Sequence, residues 1–273
     1  MPYEIPDNLV ELLDGVVSQA ARTAFYSSIL DGHRTIRNLE DFGNIPITSL
    51  KTYRRQRLAN VLAEPSKVEW IVGPYKGQSP NSVAVAEGSE EEANRYELLT
   101  DAVKECISLS TKRTCAVVTA PEKRYFASEI ATILINAGIP SHVFTDKGTS
   151  RIYELVQHVR PEVIVILSNS LTETKLSRNT ELCITFRRSH TLREFQQLDV
   201  HVVDELGFLG HSRDCKSYKL NKDVYYFERS ASGHLVVTSL YKRVQPMLRI
   251  ETLDKVAPLG SNTLEFTELS LVP

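Results

Sequence analysis

Nothing in this chain of 273 residues is long and apolar enough to span a bilayer, which takes about 18 or more consecutive apolar residues. Its opening, MPYEIPDNLVELLDG, is acidic and lacks the basic start and apolar centre of a secretory signal. Cysteine is scarce, at positions 106, 115, 183 and 215 only, and never at CxxC spacing. That excludes the common zinc frameworks, so no metal site is expected from these residues. The thiols are expected to be reduced, each acting as a small buried hydrophobe in a cytoplasmic protein. Charge of one sign is missing too. Lys and Arg number 32 against 34 Asp and Glu, for a net charge of -2. No basic field favours nucleic acid, and no acidic tail suggests a disordered arm.

Catalytic signatures are equally sparse. GxSxG, HExxH, DxDxDG, the Walker GxxxxGK[ST] and GxGxxG are all absent. The seven histidines are scattered and read as surface or satisfied core residues. His211 stands apart as the candidate for catalysis. It follows GFLG at a strand end, with Arg213 and Asp214 beside it.

What is present is an ordinary globular balance, 42% apolar and 24% charged, in a chain long enough for one large domain or two small ones. Leu9, Leu12, Leu13, Val16 and Val17 form a helical stripe behind an Asn8–Glu11 capping box, and the helix is expected to run to Leu30. Thr48 or Ser49 caps a basic helix running through Val61, whose Arg54, Arg55 and Arg57 read as a solvated face. Ser89 caps a helix with an acidic first turn, with Glu92 as its capping-box partner.

Strands then alternate with helices. TCAVVTA, SHVFTD, PEVIVILSN, ELCITF and VHVVDELG read as strands, and EKRYFASEIATILINAG, TSRIYELVQHVR and TLREFQQL as helices. This alternation predicts an α/β fold with a mostly parallel sheet covered by helices on both faces. Ligands bind such sheets outside the carboxyl ends of the strands. The candidate ends are Thr119–Ala120, Ser168–Asn169, Arg187–Arg188 and Asp204–Glu205. After Cys215 the pattern becomes β-rich, with a hairpin turning at Ala231 to Gly233. The expected organisation is an α/β region over 1–210 and a β-rich subdomain over 211–273.

VGPYKGQSP, Val72 to Pro80, sits between two Val-rich runs. Its local chemistry is that of a hairpin turn. Pro74 and Pro80 offer no N–H to a phosphate, and only Lys76 and Ser79 keep suitable donors.

Three stretches, in order, resemble the phenylacetate–CoA ligase branch of the adenylate-forming (AMP-binding, acyl-CoA synthetase) enzymes. AFYSSILDG followed by IRNLEDFGNIPITSLKTYR is similar to that family's opening. CKSYKLNKDVYYFE and SGHLVVTSLYKRVQPMLRIETLD are similar to its acidic-aromatic strand and following hairpin. The resemblance implies the fold of that family's large N-terminal domain. It implies a ribose-binding carboxylate at Asp254, the matching leading arginine at Arg249, and ATP or AMP with Mg²⁺ as cofactors. The phosphate loop would be VGPYKGQSP, with Lys76, Gly77 and Ser79 as its remaining contacts.

This sequence also departs from the family. The hydroxyl-rich part of the phosphate loop is replaced, and Gln78 stands where a lysine is expected. Aligning Gly207 with the family's aromatic-Gly-x-Thr-Glu segment puts Leu206 at the aromatic and Gly210 at the acid, while Asp204 or Glu205 could supply a nearby carboxylate. The sequence ends at Pro273, before the family's lysine-bearing C-terminal domain. These departures imply a relative that has lost full acyl-CoA ligase activity and binds a ligand or partner. The alternatives are a partial enzyme that adenylates a carboxylate with a partner supplying the missing domain, and a structural interaction subunit. Expected partners are a small carboxylate, a nucleotide, another protein or a second copy of the chain.

Overall fold

The structure is a computed structural model that describes residues 7–31, 35–72, 84–106, 113–145, 151–167, 180–186, 196–203, 205–258 and 263–268. It opens with helices α1 (Leu9–Ala20), α2 (Ala24–Leu30) and α3 (Leu39–Gly43), then strand β1 (Thr48–Ser49) and helices α4 (Leu50–Arg54) and α5 (Leu58–Val61). The expected single helix to Leu30 is two. Thr23 breaks it, accepting from the Tyr26 N–H at 3.0 Å and donating to the Ala20 carbonyl at 2.8 Å. One hydroxyl thus closes one helix and caps the next. Asn8 makes no side-chain cap. Ser49 does cap α4, accepting from Thr52 N–H at 3.1 Å, but the basic helix splits before α5.

Strands β2 (Trp70–Val72) and β3 (Val85–Glu87) pair antiparallel, Trp70 opposite Glu87 and Val72 opposite Val85. The runs flanking VGPYKGQSP therefore form a hairpin. Lys76, Gly77 and Ser79 themselves lie outside the described residues. Helix α6 (Ser89–Cys106) starts one residue earlier than the Ser89 cap predicts. Glu91, not Glu92, reaches back to the Gly88 N–H at 3.2 Å, and Glu92 accepts from the Tyr96 hydroxyl instead.

The parallel part follows in order: β4 (Cys115–Thr119), α7 (Arg124–Asn136), β5 (Ser141–Thr145), α8 (Arg151–Val159), β6 (Val163–Leu167), β7 (Leu182–Phe186) and β8 (Gln196–Val203). Residues Gln196 to Leu198, expected at the end of a short helix, begin β8; the rest of that segment, through residue 195, lies outside the described residues. The chain finishes with β9 (Gly207–Ser212), β10 (Ser217–Leu220), β11 (Tyr225–Arg229), β12 (His234–Ser239), β13 (Ile250–Val256) and β14 (Thr263–Glu268). The β11–β12 hairpin turns where expected, with Gly233 at φ 88°.

Among the described residues, twelve strands join one sheet, ordered β11-β12-β13-β14-β10-β9-β8-β7-β6-β4-β5, with β1 added beside β13. From β5 to β8 every pairing is parallel, and from β8 onward along this order the neighbours are antiparallel. The parallel strands β4, β6, β7 and β8 are buried on both faces, whereas β5 is partly exposed. Val117, Val165, Ile184 and Val200 pack with α6 and α7, whereas Val118, Ile164 and Ile166 pack with Val156 of α8. The third core joins α1 to α5 to the antiparallel strands, through Leu13, Val17, Tyr53, Phe227, Val237 and Ile250. Cys115, Cys183 and Cys215 are buried and Cys106 is half-buried. Burial pushes the Cys115 thiol up to about 12. Among the described residues, no helix is long and apolar enough to cross a membrane.

Candidate functional site

Strand β8 presents Gln197, Asp199, His201 and Val203 to one face and Leu198, Val200 and Val202 to the other. The second set is core beneath α6 and α7. The first set is mostly polar, and it meets β13. Asp254 Oδ2 lies 3.3 Å from His201 Nε2, with the two side chains 2% and 1% exposed. The His201 ring packs tilted against Phe266 of β14, 4.4 Å between centroids, and edge-to-face with Tyr218 at 5.9 Å.

Sheet geometry explains how these residues meet. Strands β9, β10 and β14 intervene between β8 and β13. In a flat sheet that order would hold them about 19 Å apart. The sheet must therefore curl on itself, and His201 and Asp254 close the curl. Farther back on β8, Asp199 accepts from the Tyr218 and Thr185 hydroxyls, and Gln197 donates to Thr185 Oγ1 at 2.9 Å. Asp199, Thr185, Gln197 and Tyr218 thus satisfy one another, as burial demands.

Just past the carboxyl end of β8, Glu205 receives Arg54 as a bidentate pair, Nε to Oε1 at 2.6 Å and NH2 to Oε2 at 3.0 Å. The Glu205 side chain is 1% exposed. Arg54 was expected on a solvated face; instead it is the cation that neutralises this buried acid. Leu206 is buried, and its carbonyl accepts from the hydroxyls of Tyr225 at 2.6 Å and Tyr241 at 3.4 Å. Gly207 has φ 99°, a conformation that favours glycine. At Gly210 a Cβ would stand 2.4 Å from the Lys219 carbonyl oxygen of β10. This position, aligned with the family's acid, cannot carry any side chain while β9 and β10 stay paired.

Arg249 lies at φ 46° and is buried. Its guanidinium donates to both oxygens of Glu228, at 3.0 and 2.8 Å, and to the carbonyls of Phe42, Gly43 and Ile45. It covers the Phe42 ring at 5.5 Å. A cation on the last carbonyls of a helix also complements the helix dipole, here that of α3. Burial raises the Glu228 carboxyl above its usual value, against the pull of Arg249. Arg249 is thus a cross-link between α3, β11 and β13.

His211 is on the other side of the sheet from Asp254. It pairs in register with Val200, which faces α6, and its Nε2 is 3.2 Å from Glu105 Oε2 at the end of α6. Lys219 also donates to Glu105. Burial lowers the His211 imidazole below its usual value, and Glu105 opposes the shift. His211 and Asp254 therefore do not form one site.

A further polar cluster anchors the β2–β3 hairpin. Lys242 Nζ donates to Glu87 Oε1 at 2.8 Å, and Arg95 Nε to Glu87 Oε2 at 3.0 Å, all nearly fully buried. Glu129 pairs with Arg95 from α7. The Ala86 N–H donates to Gln245 Oε1 at 2.7 Å, and Gln245 donates to the Tyr53 hydroxyl at 3.0 Å. Burial pushes the Glu87 carboxyl up, but Lys242 and Arg95 outweigh it and hold the group below its usual range.

Of the sequence-derived candidates, the structure joins Asp254 to His201, an unselected histidine. It puts Arg249 and His211 in separate places. The strand-end candidates 168–169, 187–188 and Asp204 lie outside the described residues. Sequence reading passed over His201 because the histidines look scattered. The available signal was polar alternation in QQLDVHVV, which a strand packed on apolar helices from both sides would not carry.

No family model matches the chain, and no curated protein matches it. Solved structures do. The chain is similar to 2-hydroxyisobutyryl-CoA ligase in the postadenylation state in complex with 2-HIB-AMP, at 12% identity and TM-score 0.74, covering 98% of this chain and 69% of that one. The same ligase with R3-HIB-AMP matches at 13% identity and TM-score 0.73, covering 98% and 68%. An open conformation with 2-HIB-AMP and CoA matches at 13% and 0.73, covering 97% and 70%. This chain spans 66% of another chain of that ligase, in the thioesterification state. At such identities the likeness is one of fold: this chain has the mixed α/β fold of adenylate-forming ligases, a large sheet packed with helices.

Proposed function

We propose that this protein is an adenylate-forming-ligase-like protein, of the phenylacetate–CoA ligase branch, that has lost full acyl-CoA ligase activity and acts by binding a ligand or partner. One observation carries the reading: the acids that would hold ribose and magnesium are already turned onto side chains of the fold. Asp254 is closed against His201, and Glu205 is clamped by Arg54. Gly210 has no room for a replacement acid. The described residues therefore do not fit ATP with Mg²⁺ in the arrangement they adopt. Arg249 does not fit a nucleotide-binding role either, since its donors are used on Glu228 and the end of α3.

Acyl-CoA formation from ATP, CoA, Mg²⁺ and a panel of aromatic and aliphatic acids tests the loss of activity. The expected result is no thioester with any acid, and turnover of one acid would refute it. Thermal melts with AMP, ATP and free carboxylates then separate the two kinds of binding, because a ligand of the native state raises the melting temperature. A rise assigns a small-molecule ligand, and a flat response leaves a macromolecular partner.

A further inference from the structure

From Tyr125 to Thr145 the chain runs through α7 after its first residue, Arg124, then a turn and β5, and Glu129 is the one residue of that stretch with a formal charge at neutral pH. That charge is paired inward with Arg95. The whole chain is 24% charged, so this is an unusually neutral stretch for a part of the surface. The outer stripe of α7 is Tyr125, Ser128, Thr132 and Ile135, with Tyr125 93% and Ile135 54% exposed. The two hydroxyls are satisfied within the helix, Ser128 on the Arg124 carbonyl and Thr132 on the Ser128 carbonyl. Neither reaches out for a polar partner.

Beside α7 lies the end of the sheet. Among the described residues β5 has β4 as its one neighbour. Edge strands are normally protected by a charge, a proline or a bulge. The strand SHVFT has none of these, and its register with β4 is unbroken from Ser141 to Thr145. Val143 shares the α7 face of the sheet, since its register partner Val117 packs there, and it remains exposed.

We propose that the β5 edge and the outer stripe of α7 form a two-fold interface with a second copy of this chain. Charge selects this occupant. A partner of either sign would find nothing complementary on that stripe or on β5. A two-fold contact brings each group near the axis against its own copy, so it requires a surface without net charge there. With the axis normal to the sheet, β5 pairs antiparallel with the other β5, and the two α7 helices lie on the same side. The inference is independent of the ligase reading, because no residue of the Asp254 or Glu205 region takes part.

Sedimentation of the full chain at micromolar concentration tests it. The wild type is expected at twice 30.8 kDa. Thr132→Arg and Val143→Lys each place like charges across the axis and are expected to raise the dissociation constant about 100-fold or more. Both positions are outside the core, so circular dichroism should stay native. Trp70→Ser, at another exposed apolar site, is expected to leave the dimer intact. Wild type at 30.8 kDa would overturn the proposal. So would a dimer that survives Thr132→Arg and Val143→Lys, or one that Trp70→Ser alone dissociates.

Discussion

Asp254 and His201 are 3.3 Å apart although three strands of the same sheet lie between β13 and β8. Their pairing holds the curl of the sheet closed, with Phe266 packed against the imidazole. Removing one member of a buried pair leaves the other uncompensated. Asp254→Leu is therefore expected to destabilise the fold by about 3 kcal/mol. Denaturant unfolding measures this. A change below about 0.5 kcal/mol, the usual size at exposed sites, would show that Asp254 is not part of the closed pair.

Arg249→Lys should behave as a deletion. Lysine cannot reproduce a bidentate fork on Glu228 together with contacts to three carbonyls. The expected loss is about 2–4 kcal/mol, with half-buried Glu228 left poorly paired. Adding Glu228→Gln should restore part of it. A double mutant whose losses simply sum would contradict the cross-link.

Gly210→Ala asks for space that β10 occupies. With Cβ 2.4 Å from the Lys219 carbonyl, β9 and β10 must separate, and the expected cost is about 2–4 kcal/mol. Gly43→Ala, where nothing lies within 4 Å of a Cβ, is the matched control, and its melting temperature should be near that of the wild type.

The Glu87 network sets an acid limit. The folded-state pKa of Glu87 is lowered below its ordinary value of 4.5, so the unfolded chain binds its proton more readily. The stabilisation is present above pH 4.5 and is lost as pH falls through the folded value. Glu105, Glu64 and Glu162 are shifted the same way. The midpoint of urea unfolding should hold steady near neutrality and drop below pH 4.5. The double variant Glu87→Gln, Lys242→Met should flatten part of that drop. An unchanged acid slope would remove Glu87 as a contributor.

Residues that obey one local rule were legible in the sequence. Buried apolar runs such as CAVVT and VIVIL gave the parallel strands, and Gly233 gave the hairpin turn. The helix break at Thr23 was not, because a threonine fits equally well inside a helix stripe or between two helices. The site was legible only by half. Asp254 could be picked out by resemblance, but its partner is fixed by the curl of the sheet, which no local pattern encodes. Arg54 and Glu205, and Lys242 and Glu87, are likewise more than 150 positions apart in sequence. Each looks like an ordinary surface charge until the fold buries it beside its counterpart.

The central claim is that the acids at the ends of β8 and on β13 serve the fold and not a nucleotide. Exchange of labelled pyrophosphate into ATP, with Mg²⁺ and a panel of carboxylic acids, reports adenylation directly and requires neither CoA nor thioester formation. The account predicts exchange at the no-enzyme background with every acid. Exchange above background that is abolished by Asp254→Asn would contradict it.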